Sequence, residues 1–354
     1  MPEALTLKGH DQSTVAASTV QTPEDAAPIT ATRRPLARSP RDKQSLDYML
    51  RSGLAGGLAG CAAKTLIAPL DRVKILFQAS NPQFLKYTGS WKGVFYAVQD
   101  IRRNEGLLGL YRGHSATLLR IFPYAAIKFA AYEQIRNVLI KSKEQETPLR
   151  RLAAGSLAGV TSVFFTYPLE VVRVRLAFET GKDRRMGLRD LCRTIYHERH
   201  TSYGVLGGIS NFYRGFTPTV LGMLPYAGVS FLCHDIACDW LRTLKFARYD
   251  NHALEKDGKS VLKVWAELVG GGLAGMAGQT ASYPLEVIRR RMQVRGAMGD
   301  QRFPGIVETA AMIWRERRLR GFFVGLSIGY AKVIPMVATS FLVYDRAKLY
   351  LGIA

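Results

Sequence analysis

The sequence predicts an all-α membrane protein: six transmembrane helices in a pseudo-threefold bundle, with short amphipathic helices on one side of the membrane. Three observations predict it. A Pro-Leu-acid-x-x-base segment recurs as Pro69-Leu70-Asp71-Arg72-Val73-Lys74, Pro168-Leu169-Glu170-Val171-Val172-Arg173 and Pro284-Leu285-Glu286-Val287-Ile288-Arg289. The copies lie about one hundred residues apart, which marks a triplication. A run of small residues precedes each copy, and each unit closes on a second proline with an acid ten residues later: Pro123 and Glu133, Pro225 and Asp235, Pro335 and Asp345.

Composition narrows the class before any motif is read. The 354 residues carry 49 Lys+Arg against 28 Asp+Glu, a formal charge of +21. An apolar fraction of 47% excludes wholesale disorder, and 4 cysteines exclude a disulfide scaffold. Cys61, Cys192, Cys233 and Cys238 form no Cys-x-x-Cys pair and read as free thiols of a reducing compartment. So large a positive charge calls for a polyanion, a membrane surface or a nucleic acid as partner.

The elements follow in order. Residues 1–44 hold few large apolar groups, carry Pro28, Pro35 and Pro40 and a cluster of arginines, and read as a solvated, disordered tail; no secretory core is present, and its acids spoil a transit peptide. Residues 45–143, 144–245 and 261–354 form the three units, with 246–260 as a linker. The first helix of each unit begins in a small-residue run (Gly53–Gly60, Gly155–Gly159, Gly270–Gly275), whose spacing lets helices approach closely in lipid. The second helix carries the later proline, which removes a hydrogen bond and forces a kink at equivalent positions. A span needs roughly 20 mainly apolar residues, and Lys64, Arg120, Lys128 and Lys332 interrupt these, so hydropathy alone undercounts them.

Between the two helices lie basic amphipathic stretches, Trp91–Asn104, Leu188–Arg199 and Gly305–Arg318. Their arginines place much of the charge on one membrane side, which favours lipid over nucleic acid. Fifteen residues separate Glu198 from Tyr213 where six separate Glu105 from Tyr111, an insertion in unit two to which no role attaches. A soluble solenoid is the rival fold, yet solenoid units are ~20–50 residues long and these are twice that. A soluble basic helical protein that binds nucleic acid is the rival of another class. Catalysis lacks residues: there is no Ser-His-Asp ordering and no phosphate loop ending in Gly-Lys-Ser/Thr. Scattered histidines leave only a weak metal case at His197 and His200, so no metal and no cofactor are expected.

The three motifs resemble the signature of the mitochondrial carrier family, over about residues 47–350. Within it the chain is most similar to the branch of the fungal coenzyme A carrier and the Graves disease carrier, through Asp71–Gln78 with Ser80-Asn81-Pro82 and through the segment His114–Phe129. The resemblance implies a multi-pass carrier of the inner mitochondrial membrane, with the amphipathic helices on the matrix side and no enzymatic activity.

It also implies two gates. On the matrix side acid and base lie three residues apart and share a helix face; by the family pattern Asp71 would meet Arg173, Glu170 would meet Arg289 and Glu286 would meet Lys74. Gln78 and Gln293 match the family's brace beneath such pairs, and Ala177 cannot serve. On the cytosolic side the pattern yields Glu133 with Arg136, Asp235 and Asp345 with Lys348, while Cys238 fills a base position. Two pairs then remain, Asp235–Lys348 and Asp345–Arg136, and a weak cytosolic gate favours the state open to the cytosol.

Ionisable residues at membrane depth suggest a pathway. Lys64, seven residues before Asp71, falls on the face of that acid. Arg120 holds the family's contact position, with Tyr124 and Lys128 within two turns; Gly222 and Met223 are equivalent in unit two, Lys332 and Val333 in unit three. Four cations suit a cargo with several phosphates, Tyr124 could stack on a base, and Gly222 leaves room for bulk. Coenzyme A fits; so do ADP, ATP and adenosine 3′,5′-bisphosphate. Arg289-Arg290-Arg291-Met292 followed by Gln293 matches the ADP/ATP exchanger's signature only in part. Partners implied are that nucleotide-type polyanion and inner-membrane lipids, cardiolipin among them, for a monomer that binds no nucleic acid.

Overall fold

The computed structural model describes residues 46–140, 147–180, 187–198, 206–247, 261–298 and 304–352. The expected tail, most of the 246–260 linker, His200 and the first part of the unit-two insertion lie outside them. Unit one comprises α1 (Leu46–Gln78), α2 (Trp91–Glu105) and α3 (His114–Leu139). Unit two comprises α4 (Pro148–Phe178), α5 (Leu188–His197), α6 (Leu206–Ser210) and α7 (Phe216–Thr243). Unit three comprises α8 (Val264–Val294), α9 (Ile306–Gly321), α10 (Leu326–Ala331) and α11 (Val333–Tyr350). Among the described residues the architecture is all-α.

The broadest packing runs between units rather than within them: α3 lies along α4, α7 along α8, and α11 returns to lie along α1, closing the ring. Each seam uses small residues four apart. Ala55, Ala59 and Ala63 on α1, Ala154, Ala158 and Ser162 on α4, and Gly270, Ala274 and Gly278 on α8 occupy equivalent positions, and all are buried. On α8 the reason is visible: a Cβ on Gly278 would stand 2.9 Å from the Tyr226 carbonyl oxygen of α7. The glycines that make the runs conspicuous, such as Gly53, Gly155 and Gly271, face open space instead, so the small residues act through a different register from the one the runs suggest.

Four stretches are long and apolar enough to cross a membrane, within α1, α4, α7 and the α10–α11 pair. The undercount arises because α3 carries Arg120, Lys128, Glu133 and Arg136, and α8 combines a glycine-rich middle with Glu267, Glu286 and a run of arginines. Between 11% and 33% of each span's apolar window is buried inside the protein, so its remaining hydrophobic surface faces outward for lipid.

Pro123 and Pro225 sit inside continuous helices, whereas in unit three the helix breaks at Lys332, just before Pro335. A proline there cannot donate to the Ala331 carbonyl, and its ring crowds that oxygen. The amphipathic stretches form α2, α5 and α9, burying Val94, Ala97 and Ile101, then Leu191 and Ile195, then Ile313. In the unit-two insertion α6 leads to Asn211, whose buried amide donates to the carbonyls of Ile195 and Glu198. His197 hydrogen-bonds the Arg193 carbonyl oxygen within its own helix, and the described residues hold no metal-type cluster. All four cysteines are free.

Candidate functional site

The C-terminal halves of α1, α4 and α8 converge on a layer of charge. Arg173 on α4 places its guanidinium 3.1 Å from Asp71 on α1, Arg289 on α8 lies 3.0 Å from Glu170 on α4, and Lys74 on α1 lies 2.9 Å from Glu286 on α8. The three pairs thus run around the ring in the order the family pattern implies. Glu170 is only 2% exposed, and an unpaired carboxylate so deep would be costly.

Below the pairs stand two braces. Gln78 donates to the Tyr283 hydroxyl at 3.0 Å, and Gln293 donates to the Tyr167 hydroxyl at 3.0 Å. The tyrosines in turn donate to the carbonyls of Val324 and Arg214, just before Gly325 and Gly215. Those glycines, with Gly113, open the second helices at φ near +80°, a region that L side chains avoid. Lys74 lies 5.0 Å over the Tyr283 ring and Arg289 5.6 Å over Tyr167. The third brace is absent on both sides, because Ala177 stands for the glutamine and Ala68 for the tyrosine. A small pocket opens there, lined by both alanines with Lys64, Asp71, His114 and Arg173.

A second ring of ion pairs escaped sequence reasoning. Arg72 holds Glu105 at 2.8 Å, Arg175 holds Glu198, and Arg291 holds Glu316 at 2.6 Å. Each arginine also reaches a neighbouring unit: Arg72 donates to the Ala177 carbonyl, Arg175 to that of Gln293, and Arg291 to the Ser80 hydroxyl. The recurring glutamates were the available signal. Arg290 was also missed; it donates to Glu170 at 2.7 Å and to the Gln293 side-chain oxygen at 3.0 Å.

The cavity cations are placed differently from a free cluster. Arg120 pairs with Glu170 at 2.9 Å and Lys332 with Asp71 at 2.7 Å, so both are engaged by carboxylates, since three helices bring the acids within their reach. Lys64 donates to the Met336 thioether at 3.6 Å and shares the cavity with Asp71. Lys128 is exposed. Tyr124 lies beneath Arg120, 5.6 Å from its guanidinium, and with Met223 packs against the apolar cluster of Tyr167 and Val171, so neither is an open face. Gly222 leaves its side clear, the nearest atom to an added Cβ being that of Leu285 at 3.6 Å, and Val333 is 40% exposed.

The cytosolic residues do not assemble. Among the described residues no ion pair joins Asp235 to Lys348 or Asp345 to Arg136; α3, α7 and α11 pack along α4, α8 and α1 rather than along one another. Glu133, Arg136, Asp235 and Asp345 are exposed, and Lys348 rests 4.7 Å over the Tyr344 ring. Cys238 is buried against Gly270 and Leu241 in the α7–α8 seam, a site that would not present a base to the centre.

The mitochondrial carrier protein family profile matches three times, over residues 46–143, 144–245 and 260–353. The chain belongs to the mitochondrial carrier family. It is 55% identical over 333 residues to mitochondrial carrier protein LEU5 of Saccharomyces cerevisiae, covering 88% of this chain and 93% of that one. It is 41% identical to human solute carrier family 25 member 16, covering 86% of this chain and 89% of the relative. It is 38% identical to mitochondrial coenzyme A transporter SLC25A42 of Danio rerio, covering 90% and 92%. This carrier is therefore a multi-pass protein of the inner mitochondrial membrane, a transporter and not an enzyme.

Proposed function

We propose that this carrier moves coenzyme A, or a closely related adenine nucleotide, across the inner membrane by alternating access between two gates. The observation that carries the reading is the charge of the central layer. Seven cations (Lys64, Lys74, Arg120, Arg173, Arg289, Arg290 and Lys332) surround three carboxylates, an excess of four positive charges. A phosphate monoester contributes about −1.5 to −2 at neutral pH, and with a diphosphate beside it coenzyme A comes close to balancing that excess. The name of the zebrafish relative points to the same cargo.

In this reading Asp71, Lys74, Glu170, Arg173, Glu286 and Arg289, braced by Gln78 and Gln293, are the matrix gate. Glu133, Arg136, Asp235, Asp345 and Lys348 are the cytosolic gate, and paired matrix residues with separated cytosolic ones correspond to a carrier open to the cytosol. Lys64, Arg120, Lys128 and Lys332 take the phosphates, Gly222 and Val333 flank the cargo, and Tyr124 and Met223 support the cations from behind. The carrier works as a monomer among inner-membrane lipids, cardiolipin included.

Uptake by reconstituted vesicles tests this with labelled coenzyme A, ADP and adenosine 3′,5′-bisphosphate. Coenzyme A should enter fastest, and Lys64→Gln should cut its initial rate roughly tenfold with little change in melting temperature, since Lys64 holds no carboxylate. Faster uptake of ADP or the bisphosphate would replace the cargo. Undiminished uptake by Lys64→Gln would move the site.

A further inference from the structure

We propose that Gln279 selects the cargo by its uncharged arm: the side-chain amide hydrogen-bonds the amide groups of a pantetheine-type chain, the part of coenzyme A that an adenine nucleotide lacks. The inference deepens the proposed function and rests on it.

The three units differ at one equivalent position. Five residues before the motif proline of the first helix stand Lys64 on α1, Val163 on α4 and Gln279 on α8. Val163 is buried in the apolar cluster around Tyr167, whereas Lys64 and Gln279 are half-buried. A second departure from the repeat makes room for the amide. Six residues before the second-helix proline, units one and two carry Thr117 and Thr219, buried threonines that donate to the carbonyls of Gly113 and Gly215. Unit three has Gly329 there. A Cβ on it would stand 2.5 Å from Gln279 Nε2 and 3.4 Å from Lys74 Nζ, so the glycine admits the amide beside that lysine.

The neighbouring polar groups already have partners. Lys74 pairs with Glu286, Thr280 shares a hydrogen bond with the Tyr330 hydroxyl, and the Ser282 hydroxyl donates to the Gln279 backbone carbonyl. Among the described residues the Gln279 side-chain amide has no hydrogen-bond partner. It offers two N–H donors and one acceptor oxygen. A neutralised ion pair beside a neutral amide suits an uncharged polar segment, while the phosphates go to Lys64, which holds no carboxylate. An adenine ring would want an open aromatic face to stack on. Tyr283, one turn along α8, has Lys74 over its ring and Phe323 stacked on it. A thin chain with two amides needs no such face: its carbonyls accept from Nε2 and its N–H groups donate to Oε1. A site built on such bonds rejects a molecule that lacks their partners.

Equilibrium binding to the purified full-length carrier tests it with two probes, coenzyme A and 3′-phosphoadenosine 5′-diphosphate. The two share adenine, ribose and three phosphates and differ by the amide arm. The wild type should bind coenzyme A more tightly. Gln279→Leu removes the hydrogen bonds at little change in volume; it should weaken coenzyme A roughly fivefold and leave the armless probe within about twofold. Gly329→Ala reaches the same contact without touching the glutamine. Its methyl displaces only the far end of a flexible side chain, so it should melt like the wild type and lose the same preference. Equal weakening of both probes by Gln279→Leu, or unchanged coenzyme A affinity in either variant, overturns the inference. Should Gln279→Leu fail to fold, Gly329→Ala decides alone. If the wild type prefers coenzyme A and both variants keep that preference, the cargo stands and the inference falls. If the wild type binds the armless probe more tightly, the cargo reading falls and the inference with it.

Discussion

Ser80 takes φ of 54°, a conformation that usually goes to glycine at the end of a helix. It sits just past α1, where the Asn81 amide returns to the Leu76 carbonyl at 3.0 Å and closes the helix end. The strain is held by contacts with both other units: Arg291 donates to the Ser80 hydroxyl at 2.7 Å, and the Asn81 side chain donates to the Phe178 carbonyl at 3.2 Å. A hydrogen bond to a charged group is worth about 1.5–3 kcal/mol, while left-handed backbone costs a non-glycine about 1–2 kcal/mol. Ser80→Ala loses the bond and keeps the strain, and should lower the melting temperature clearly. Ser80→Gly loses both and should stay near the wild type. Thermal melting of the two variants checks that order, and an alanine variant as stable as the wild type would remove the role assigned to the hydroxyl. The same scale explains a residue that sequence comparison missed. Units two and three pair Glu198 and Glu316 with an arginine two places after the gate base, but unit one has Leu76 there. Arg72, one turn earlier on the same face, supplies the guanidinium instead, so alignment by position hides the third member of the ring.

At the scale of elements, the braces decide how evenly the three first helices are held. Tyr283 ties α1 to α8 and Tyr167 ties α8 to α4, and each also fixes the loop before a second helix. Between α1 and α4 the cavity at Ala68 and Ala177 takes the place of both partners. Ala68→Tyr with Ala177→Gln should therefore add a third brace, worth about 1–2 kcal/mol for a buried hydrogen-bond pair and the filled space. The double variant should melt several degrees higher and transport more slowly, whereas either single change should gain less, having only half of the pair. A double variant no more stable than the sum of its singles would show that the two side chains do not meet. The glutamine half of this came through the resemblance to the family, whose brace Gln78 and Gln293 match four residues past their bases. The tyrosine half was not, because its partner lies on another unit and the motif that contains it is read for its proline. The small-residue runs were legible as a packing signal, but the buried register became clear only once α7 was seen against α8.

For the whole molecule, triplication made the architecture readable: three copies of a two-helix unit leave few ways to bury every charged face except around a common axis. What triplication could not reveal is the state of the ring, since the sequence carries the residues of both gates whichever of the two is closed. Paired residues at one end and separated ones at the other make a testable asymmetry of access. Met336 on α11 meets Lys64 on α1, so on the proposed function a cysteine there should be open to one side and shielded by the ring from the other. In Met336→Cys with Cys61, Cys192, Cys233 and Cys238 replaced, a charged thiol reagent that cannot cross the bilayer should label the protein from the cytosolic side in oriented vesicles. Added coenzyme A should slow that labelling by occupying the space beside Lys64. Labelling of equal speed from both sides would mean that the closed matrix ring is a minor state, and faster labelling from the matrix side would reverse the assignment. Cys238 bears on the same balance through packing alone: it fills the α7–α8 seam against Gly270, so the separated cytosolic ends owe nothing to a base pointing inward from that position.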